Sequence, residues 1–432
     1  MSYSSVIDYL YGLQKHGIKL GLETMRLLLD RMGNPQASLQ VFHVGGTNGK
    51  GSTASMAAAV LHCAGRRVGL YTSPHLVDFR ERIRVNGQMI AEERVEALLA
   101  QLRSVLTDDL HPTFFEMTTA LAFLHFAQSA VDVAVLEVGL GGRFDATNVI
   151  EQPLACAITT IGMDHQEYLG NSEEAIAFEK GGIIKPCVPV VIGRMGIDAE
   201  QVLSKLAKDR SAPFWRLGRE FSVEEDRAGR LLYRGQTRVI EGVTCGLVGR
   251  HQWDNAACAL ALLEAADQRG ITVDEGAVLE GLRTVSWEGR LETIDEEPHV
   301  VLDGAHNPAA AEVLAQYLTD YAIQHPVSRI ILVWGMMRDK DHRGFITPLL
   351  PVVSEIVVTQ AALTRSATVH ELRAALQEWS GPVLEAILPT DALTLARSRA
   401  MSQDLICIAG SLMLLGDIKA AMRGCGLSPI RG

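Results

Sequence analysis

The sequence predicts an α/β protein of two domains, each built on a mainly parallel sheet, and three observations carry that reading. The apolar run Val41-Phe42-His43-Val44 leads directly into the glycine-rich turn Gly45-Gly46-Thr47-Asn48-Gly49 and an alanine-rich helix. Further apolar runs at 67–72, 131–136 and 154–161 alternate with helical stretches, and the alternation resumes beyond residue 297. Strands covered on both faces read as continuous apolar runs, and parallel neighbours need a crossover helix between them.

In chain order, Val6 to Leu13 and Leu22 to Met32 read as amphipathic helices joined by Gly17-Ile18-Lys19-Leu20-Gly21. The turn that follows the 41–44 run has the layout of a phosphate-binding loop. Its glycines let several backbone N–H groups point inward, the helix adds its positive end, and Lys50 supplies a mobile charge. The ligand this suits is a nucleoside triphosphate. The fit to the common P-loop pattern is imperfect, because a glycine four positions further back is missing and Gly51 stands where the metal-binding hydroxyl follows the lysine. Ser52 comes one place late, so the metal needs another ligand. A glycine-rich turn can also be a ligand-free connection, but strand, glycines, lysine, hydroxyls and helix all arrive here in the required order.

Arg67 to Thr72 reads as a second buried strand running out into Ser73-Pro74-His75-Leu76, at the strand end where open α/β sheets place their ligands. Ile83 to Ile90, with Asn86-Gly87 at its centre, reads as a hairpin. Helices are expected at about 92–107 and 113–129. The run 131–136 then ends at Glu137, and an acid on a strand near a P-loop either binds magnesium or merely caps the strand. The run 154–161 ends at Met163-Asp164-His165, and a histidine there is a metal candidate. Lys180, beside the helix-ending Gly181, reads on its own as a surface charge favourable to the helix dipole. Residues 221–248 read as antiparallel hairpins at the domain edge. Helices follow from Trp253 to Arg269 and around Val278 to Leu282, and the polar stretch Asp295-Glu296-Glu297-Pro298 marks the boundary between a 1–296 and a 297–432 domain. Beyond it, strands at about 299–303, 329–334, 354–359 and 404–409 alternate with helices, one opened by a capping box at Thr368 and Glu371.

Composition narrows the class. A chain of 432 residues is too long for one ordinary core, and 47% hydrophobic with 21% charged residues is the balance of a globular enzyme. A net charge of −11 works against nucleic acid or an acidic membrane as main partner. The seven cysteines are widely spaced and form no C-x-x-C or Cys/His cluster, which argues against a disulfide framework and a zinc site and for reduced thiols in the cytoplasm. The start has no basic-then-apolar leader, and no apolar run later is long enough to span a bilayer.

Taken together the motifs resemble the folylpolyglutamate synthase and dihydrofolate synthase family, a branch of the Mur ligase superfamily, and are most like its bifunctional bacterial members. The resemblance rests on Gly46 to Ser52, Thr72 to Leu76 with Glu81-Arg82-Ile83, Phe114-Phe115-Glu116, Glu137 to Asn148, Asp164-His165 to Gly170, Glu179-Lys180 to Lys185, and Asp303 to Pro308. It implies a P-loop NTPase-like parallel-sheet domain followed by a smaller Rossmann-like α/β domain, acting as an ATP-dependent amide ligase. In that chemistry a carboxylate of dihydropteroate or a reduced folate is phosphorylated by ATP, and the amino group of L-glutamate attacks the acyl phosphate.

Carried over position by position, the resemblance gives Asn48, Gly49, Lys50, Gly51 and Ser52 to the triphosphate, with Asn255, Arg290, Asp303 and, less directly, His306 as further ATP contacts. It gives one Mg²⁺ to Ser73 and Glu137 and a second to His165, near a lysine, Lys180, that the family carries as a carbamate. Lys50, Glu137, His165 and Lys180 are thus the expected catalytic set. For the pterin it implies Thr113, Phe144, Asp145 and Ala146, with Leu20 and Gly21 as weaker matches. Lys19 stands where the bifunctional pattern has an acid, which puts the early-loop contact in question. The family is commonly monomeric.

Three other readings stand beside this one. A monofunctional folylpolyglutamate synthase would use the same ATP site but would not make dihydrofolate. A peptidoglycan-precursor Mur ligase would be expected to carry a uridine-nucleotide domain before the P-loop. A P-loop switch protein is the third, although a GTPase would want an N-K-x-D motif, which the sequence lacks.

Overall fold

The structure, a computed structural model, describes residues 2–17, 21–226 and 229–425. It divides into two compact units, the first comprising 1–73, 79–246 and 252–286 and the second 74–78, 247–251 and 287–432.

The first unit is organised on an eight-stranded sheet. Its strands are β1 (Val41–Gly45), β2 (Val68–Tyr71), β3 (Ile83–Val85), β4 (Gln88–Met89), β5 (Val133–Glu137), β6 (Ala155–Ile158), β7 (Val190–Ile192) and β8 (Phe214–Arg216), in the order β4-β3-β2-β5-β1-β6-β7-β8. All pairings are parallel except β2 with β3 and β3 with β4. The antiparallel edge is the expected hairpin, and Asn86 and Gly87 at its tip both have positive φ, 51° and 77°, as a tight turn matched to strand twist requires. Every residue of β1, β2, β5, β6 and β7 is buried, so the continuous apolar runs belong to strands covered on both faces.

The helix Phe114–Gln128 opens on a capping box in which Thr113 Oγ1 accepts from the Glu116 N–H and Glu116 Oε2 accepts from the Thr113 N–H. Its residue Phe115 packs over Gly139. The expected hairpins near 221–248 form a separate three-stranded antiparallel sheet, β9 (Ser222–Glu225), β10 (Leu231–Arg234) and β11 (Val239–Val243). It is tied to the helix His251–Ala265 by the buried Glu264, which accepts from Tyr233 Oη at 2.7 Å and from the Thr237 N–H at 2.6 Å.

In the second unit β12 (Glu292–Glu296), β13 (His299–Leu302), β14 (Ile330–Trp334), β15 (Glu355–Val358), β16 (Val383–Glu385) and β17 (Leu405–Ala409) form a sheet in the order β12-β13-β17-β14-β15-β16. Only β12, paired with β13, runs antiparallel. Alternate residues feed two cores. Val301, Leu332, Trp334, Ile356 and Cys407 enter one face, and Val300, Leu302, Ile331, Val333 and Ile406 enter the other. Because β12 pairs into this sheet, the second unit takes up the chain from Trp287, eight residues before the polar stretch. Edge strand β16, half-exposed, had no apolar run to announce it. Among the described residues no helix is long and apolar enough to cross a membrane, and none of the seven cysteines forms a disulfide.

Candidate active site

The glycine-rich loop takes its shape from its neighbours. Val44 pairs with Glu137 on one side and Ala157 on the other, so the chain leaves β1 between a carboxylate and the segment that follows β6. Gly46 has φ 137°, and a Cβ there would lie 2.1 Å from Thr159 Oγ1; at Gly49, φ 83°, a Cβ would lie 2.2 Å from Asn255 Oδ1. Backbone angle and space both restrict these positions to glycine. The Thr47 N–H donates to the Thr160 carbonyl at 2.8 Å, the Asn48 N–H to Thr160 Oγ1 at 2.9 Å, and the Thr159 hydroxyl to the Asn48 carbonyl. Thr159 and Thr160 therefore set the loop. Sequence reading passed over them, although a Thr-Thr pair at the end of an apolar strand beside a P-loop was the available signal.

Gly49 has no side chain with which to cap the helix Lys50–Cys63, and such a helix start suits an anion. Lys50 Nζ donates to the Thr47 carbonyl at 3.0 Å. The Ser52 hydroxyl, 1% exposed, has no hydrogen-bond partner in the protein; a buried hydroxyl left this way is costly, and a ligand atom would satisfy it. Gly51 beside it is buried. The Asn255 amide, against Gly49, donates to Gln252 Oε1 at 2.9 Å.

Lys180 is the last residue of the helix Glu173–Lys180 and is 5% exposed. Its Nζ donates to the Gly46 carbonyl at 2.9 Å. Burial, and after it the nearby charge of Lys50, lower its pKa to about 7, against the opposing pull of Asp164 and Asp145. The surface-charge reading of this lysine does not hold, because the end of its helix turns inward onto the loop.

Ser73 and Glu137 meet directly, the Ser73 N–H donating to Glu137 Oε2 at 3.0 Å. His165 is exposed and left-handed, φ 51°; its N–H donates to Asp164 Oδ1 at 2.9 Å, and its Nε2 lies 3.9 Å from that oxygen. Arg82 is another residue to which sequence reading gave no role. Its guanidinium lies over the Phe114 ring at 5.2 Å, and burial lowers its pKa against the pull of neighbours that include Glu137.

Of the pterin candidates, Leu20 lies outside the described residues. A Cβ on Gly21 would lie 2.5 Å from Glu23 Oε2, and Thr113 is the helix cap described above. Phe144 is half-buried with the Arg143 guanidinium 4.7 Å above its ring, and Ala146 is buried. Asp145 is buried with both oxygens engaged. Oδ2 accepts from the Gly139 and Leu140 N–H groups at 3.0 and 2.9 Å, and Oδ1 accepts from the Thr147 N–H and hydroxyl.

Arg290, Asp303 and His306 cluster on the second unit. Asp303 accepts from the Leu291 and Ala305 N–H groups at 3.0 and 2.9 Å. The Gly289 carbonyl accepts from Arg290 Nη1 at 2.9 Å and from the Gly304 N–H at 2.8 Å. His306 Nδ1 lies 2.8 Å from the Gly304 carbonyl. Lys419, placed between Glu288 and Glu292, braces the same turn.

Two family models match the chain, the Mur ligase middle domain over residues 44–263 and the Mur ligase glutamate ligase domain over 289–412. The dihydrofolate synthase/folylpolyglutamate synthase of Bacillus subtilis is 36% identical over 437 residues, covering 98% of this chain and 99% of its own length. The chain belongs to the dihydrofolate synthase/folylpolyglutamate synthase family. As a member it is an ATP-dependent ligase of the Mur type. Solved relatives agree over nearly the whole length. E. coli FolC in complex with DHPP and ADP matches with a TM-score of 0.90 and 32% identity, covering 98% of both chains. The bifunctional folylpolyglutamate synthase/dihydrofolate synthase of Yersinia pestis, complexed with AMPPNP and a Mn ion, matches with a TM-score of 0.88, 32% identity and 98% coverage of both.

Proposed function

We propose that this family member joins L-glutamate both to 7,8-dihydropteroate and to reduced folates, through an acyl phosphate made at the expense of ATP. The observation that carries the reading is the loop of Gly46 to Ser52, with Lys50 and the buried Lys180 bonded to its carbonyls and Glu137 at the end of the adjacent strand, in a chain similar to a protein solved with DHPP and ADP.

A carboxylate resists an amine because its charge repels the nucleophile and oxide is a poor leaving group. Transfer of the γ-phosphoryl group to a carboxylate oxygen removes both obstacles. The glutamate amine then attacks the acyl carbon and phosphate leaves as the amide forms. Positioning and charge neutralisation are the protein's contribution. The N–H groups at the start of the helix Lys50–Cys63 and the Lys50 ammonium hold the β and γ phosphates, and the orphaned Ser52 hydroxyl is a further donor available to them. On the first unit Asn48, Gly49, Gly51 and Asn255 contact the nucleotide and Gly21, Thr113, Phe144, Asp145 and Ala146 serve the pterin side; by the family's pattern Arg290, Asp303 and His306, on the second unit, are nucleotide contacts too. The working form is a cytoplasmic monomer.

Among the described residues no three His, Cys, Asp or Glu side chains form a metal-binding group. Glu137, bonded to the Ser73 N–H at 3.0 Å, is a hard oxygen donor of the kind magnesium takes beside a nucleotide, where phosphate and water supply most of its ligands. Ser73 and Glu137 would hold one ion and His165 with Lys180 a second; such ions would supply positive charge against the phosphate oxygens.

Lys180 fits carbamylation. Reaction with CO₂ needs the neutral amine, which forms an N–C bond and loses a proton, and with a pKa of about 7 roughly half the side chain is neutral at pH 7. The neutral fraction grows as pH rises. The unfolded chain keeps this proton up to its ordinary 10.5 and the native chain only to about 7. Stability therefore rises with pH across that window, and the cost of the buried charge is fully present below it. The expected result is turnover that is low with CO₂ depleted and is restored by CO₂ more fully above about pH 7, where the amine is mostly neutral, than below it. Lys180→Met should lose that response together with most activity. Phosphate release measured across a bicarbonate series decides, and a parent chain indifferent to CO₂ above about pH 7 would sink the carbamate.

The function itself is tested by phosphate release with ATP, Mg²⁺ and L-glutamate, run in parallel with 7,8-dihydropteroate and with tetrahydrofolate, the products identified by mass. Release with both is expected. Release with tetrahydrofolate alone would leave the monofunctional chain extender.

A further inference from the structure

We infer that His43, acting through Thr147 and Asp145, is a positioning residue that fixes the pterin-side loop 139–147 to the strand that enters the P-loop. This deepens the folate reading above and rests on it. His43 is the third residue of β1, fully buried, and its Nε2 lies 2.8 Å from Thr147 Oγ1. The Thr147 hydroxyl has one proton, and Asp145 Oδ1 receives it along with the Thr147 N–H. An acceptor carboxylate leaves the hydroxyl only its lone pairs for the imidazole. The Nε2–H of His43 therefore donates to Thr147, and Nδ1 is the bare nitrogen, buried without a partner.

Beyond Asp145 the chain of bonds continues into the loop, because Oδ2 accepts the Gly139 and Leu140 N–H groups. Gly139 follows the metal-side Glu137 by two residues, and Phe144 and Ala146 flank Asp145. A carboxylate with both oxygens committed to its own loop serves a pterin by setting where its neighbours stand. His43 orients that carboxylate from the inside of the sheet, two positions before Gly45. Burial, with the Lys185 charge, lowers the imidazole pKa to about 3, so His43 stays a neutral donor throughout the neutral pH range. Nothing in the spacing of the sequence announces the link, since residues 43 and 147 are 104 positions apart.

Thr147→Val keeps the shape and removes both hydroxyl bonds. It should raise KM for dihydropteroate about tenfold, leaving KM for ATP and glutamate within about twofold, the scale expected for loss of a buried hydrogen bond to a charged group. Thr147→Ser should restore the parent value. Tyr233→Phe, which on the separate three-stranded sheet loses a buried hydrogen bond to Glu264, is the stability control and should lower Tm without moving any KM. Amide exchange at Gly139 and Leu140 should quicken in Thr147→Val and not in Tyr233→Phe, a readout independent of turnover. If Thr147→Val does not fold, His43→Leu, which removes only the outer donor, takes its place. An unchanged pterin KM, or equal rises in all three KM values, would overturn the inference. If the folate reading itself is wrong, the parent chain will show no pterin-dependent release, which sets that failure apart from a working parent with an indifferent variant.

Discussion

Lys50→Met is expected to lower ATP-dependent phosphate release about a thousandfold, at the upper end of what loss of one fixed charge or donor at a developing anionic centre costs. Lys50 Nζ is held by the Thr47 carbonyl at 3.0 Å, a neutral partner that a triphosphate readily outbids. Methionine keeps most of the apolar stem, so Tm should stay close to the parent value. A second consequence follows from the same charge. Lys50 is one of the causes that lower the Lys180 pKa, so removing it lets that pKa rise and moves the bicarbonate-dependent limb of the residual activity toward higher pH. Steady-state phosphate release against pH checks both, and a loss smaller than about tenfold would remove Lys50 from the phosphoryl-transfer site.

Glu137→Gln should be nearly as damaging with as little effect on folding. The amide oxygen can still accept the Ser73 N–H that Glu137 Oε2 accepts now, so the local geometry survives while the negative charge is lost. Release at saturating substrate should fall about a hundredfold, and the Mg²⁺ concentration giving half-maximal rate should rise at least about tenfold, because a hard divalent cation loses its anionic protein ligand. Titration of the variant with Mg²⁺, followed by phosphate release and by thermal shift, separates the two effects. A parental Mg²⁺ titration would mean that Glu137 is only a strand cap.

Much of this site was legible in the sequence because its chemistry is local. Gly46 and Gly49 are demanded by backbone conformation, the Lys50 helix begins where the glycines end, and Glu137 closes an apolar run that could only be a buried strand. Lys180 was legible by resemblance alone, since a lysine next to a helix-ending glycine is ordinarily a solvated charge and nothing within ten residues says that it is buried. Thr159, Thr160 and Arg82 were not chosen because each acts across the sheet or through a neighbour. The turn of Arg290, Asp303 and His306 was found as a motif, but the Lys419 brace that shapes it lies more than a hundred residues away.

The sequence by itself determined where most of the buried strands and helices run, that the sheets are mainly parallel, and which loop is shaped to receive an anion, because all of these follow from periodicity, covered faces and glycine stereochemistry within a few residues. Tertiary structure alone decided which groups are buried and what they touch there. The low pKa of Lys180, the orphaned hydroxyl of Ser52 and the His43–Thr147–Asp145 chain come from desolvation and from contacts between residues distant in sequence, and no local pattern encodes either.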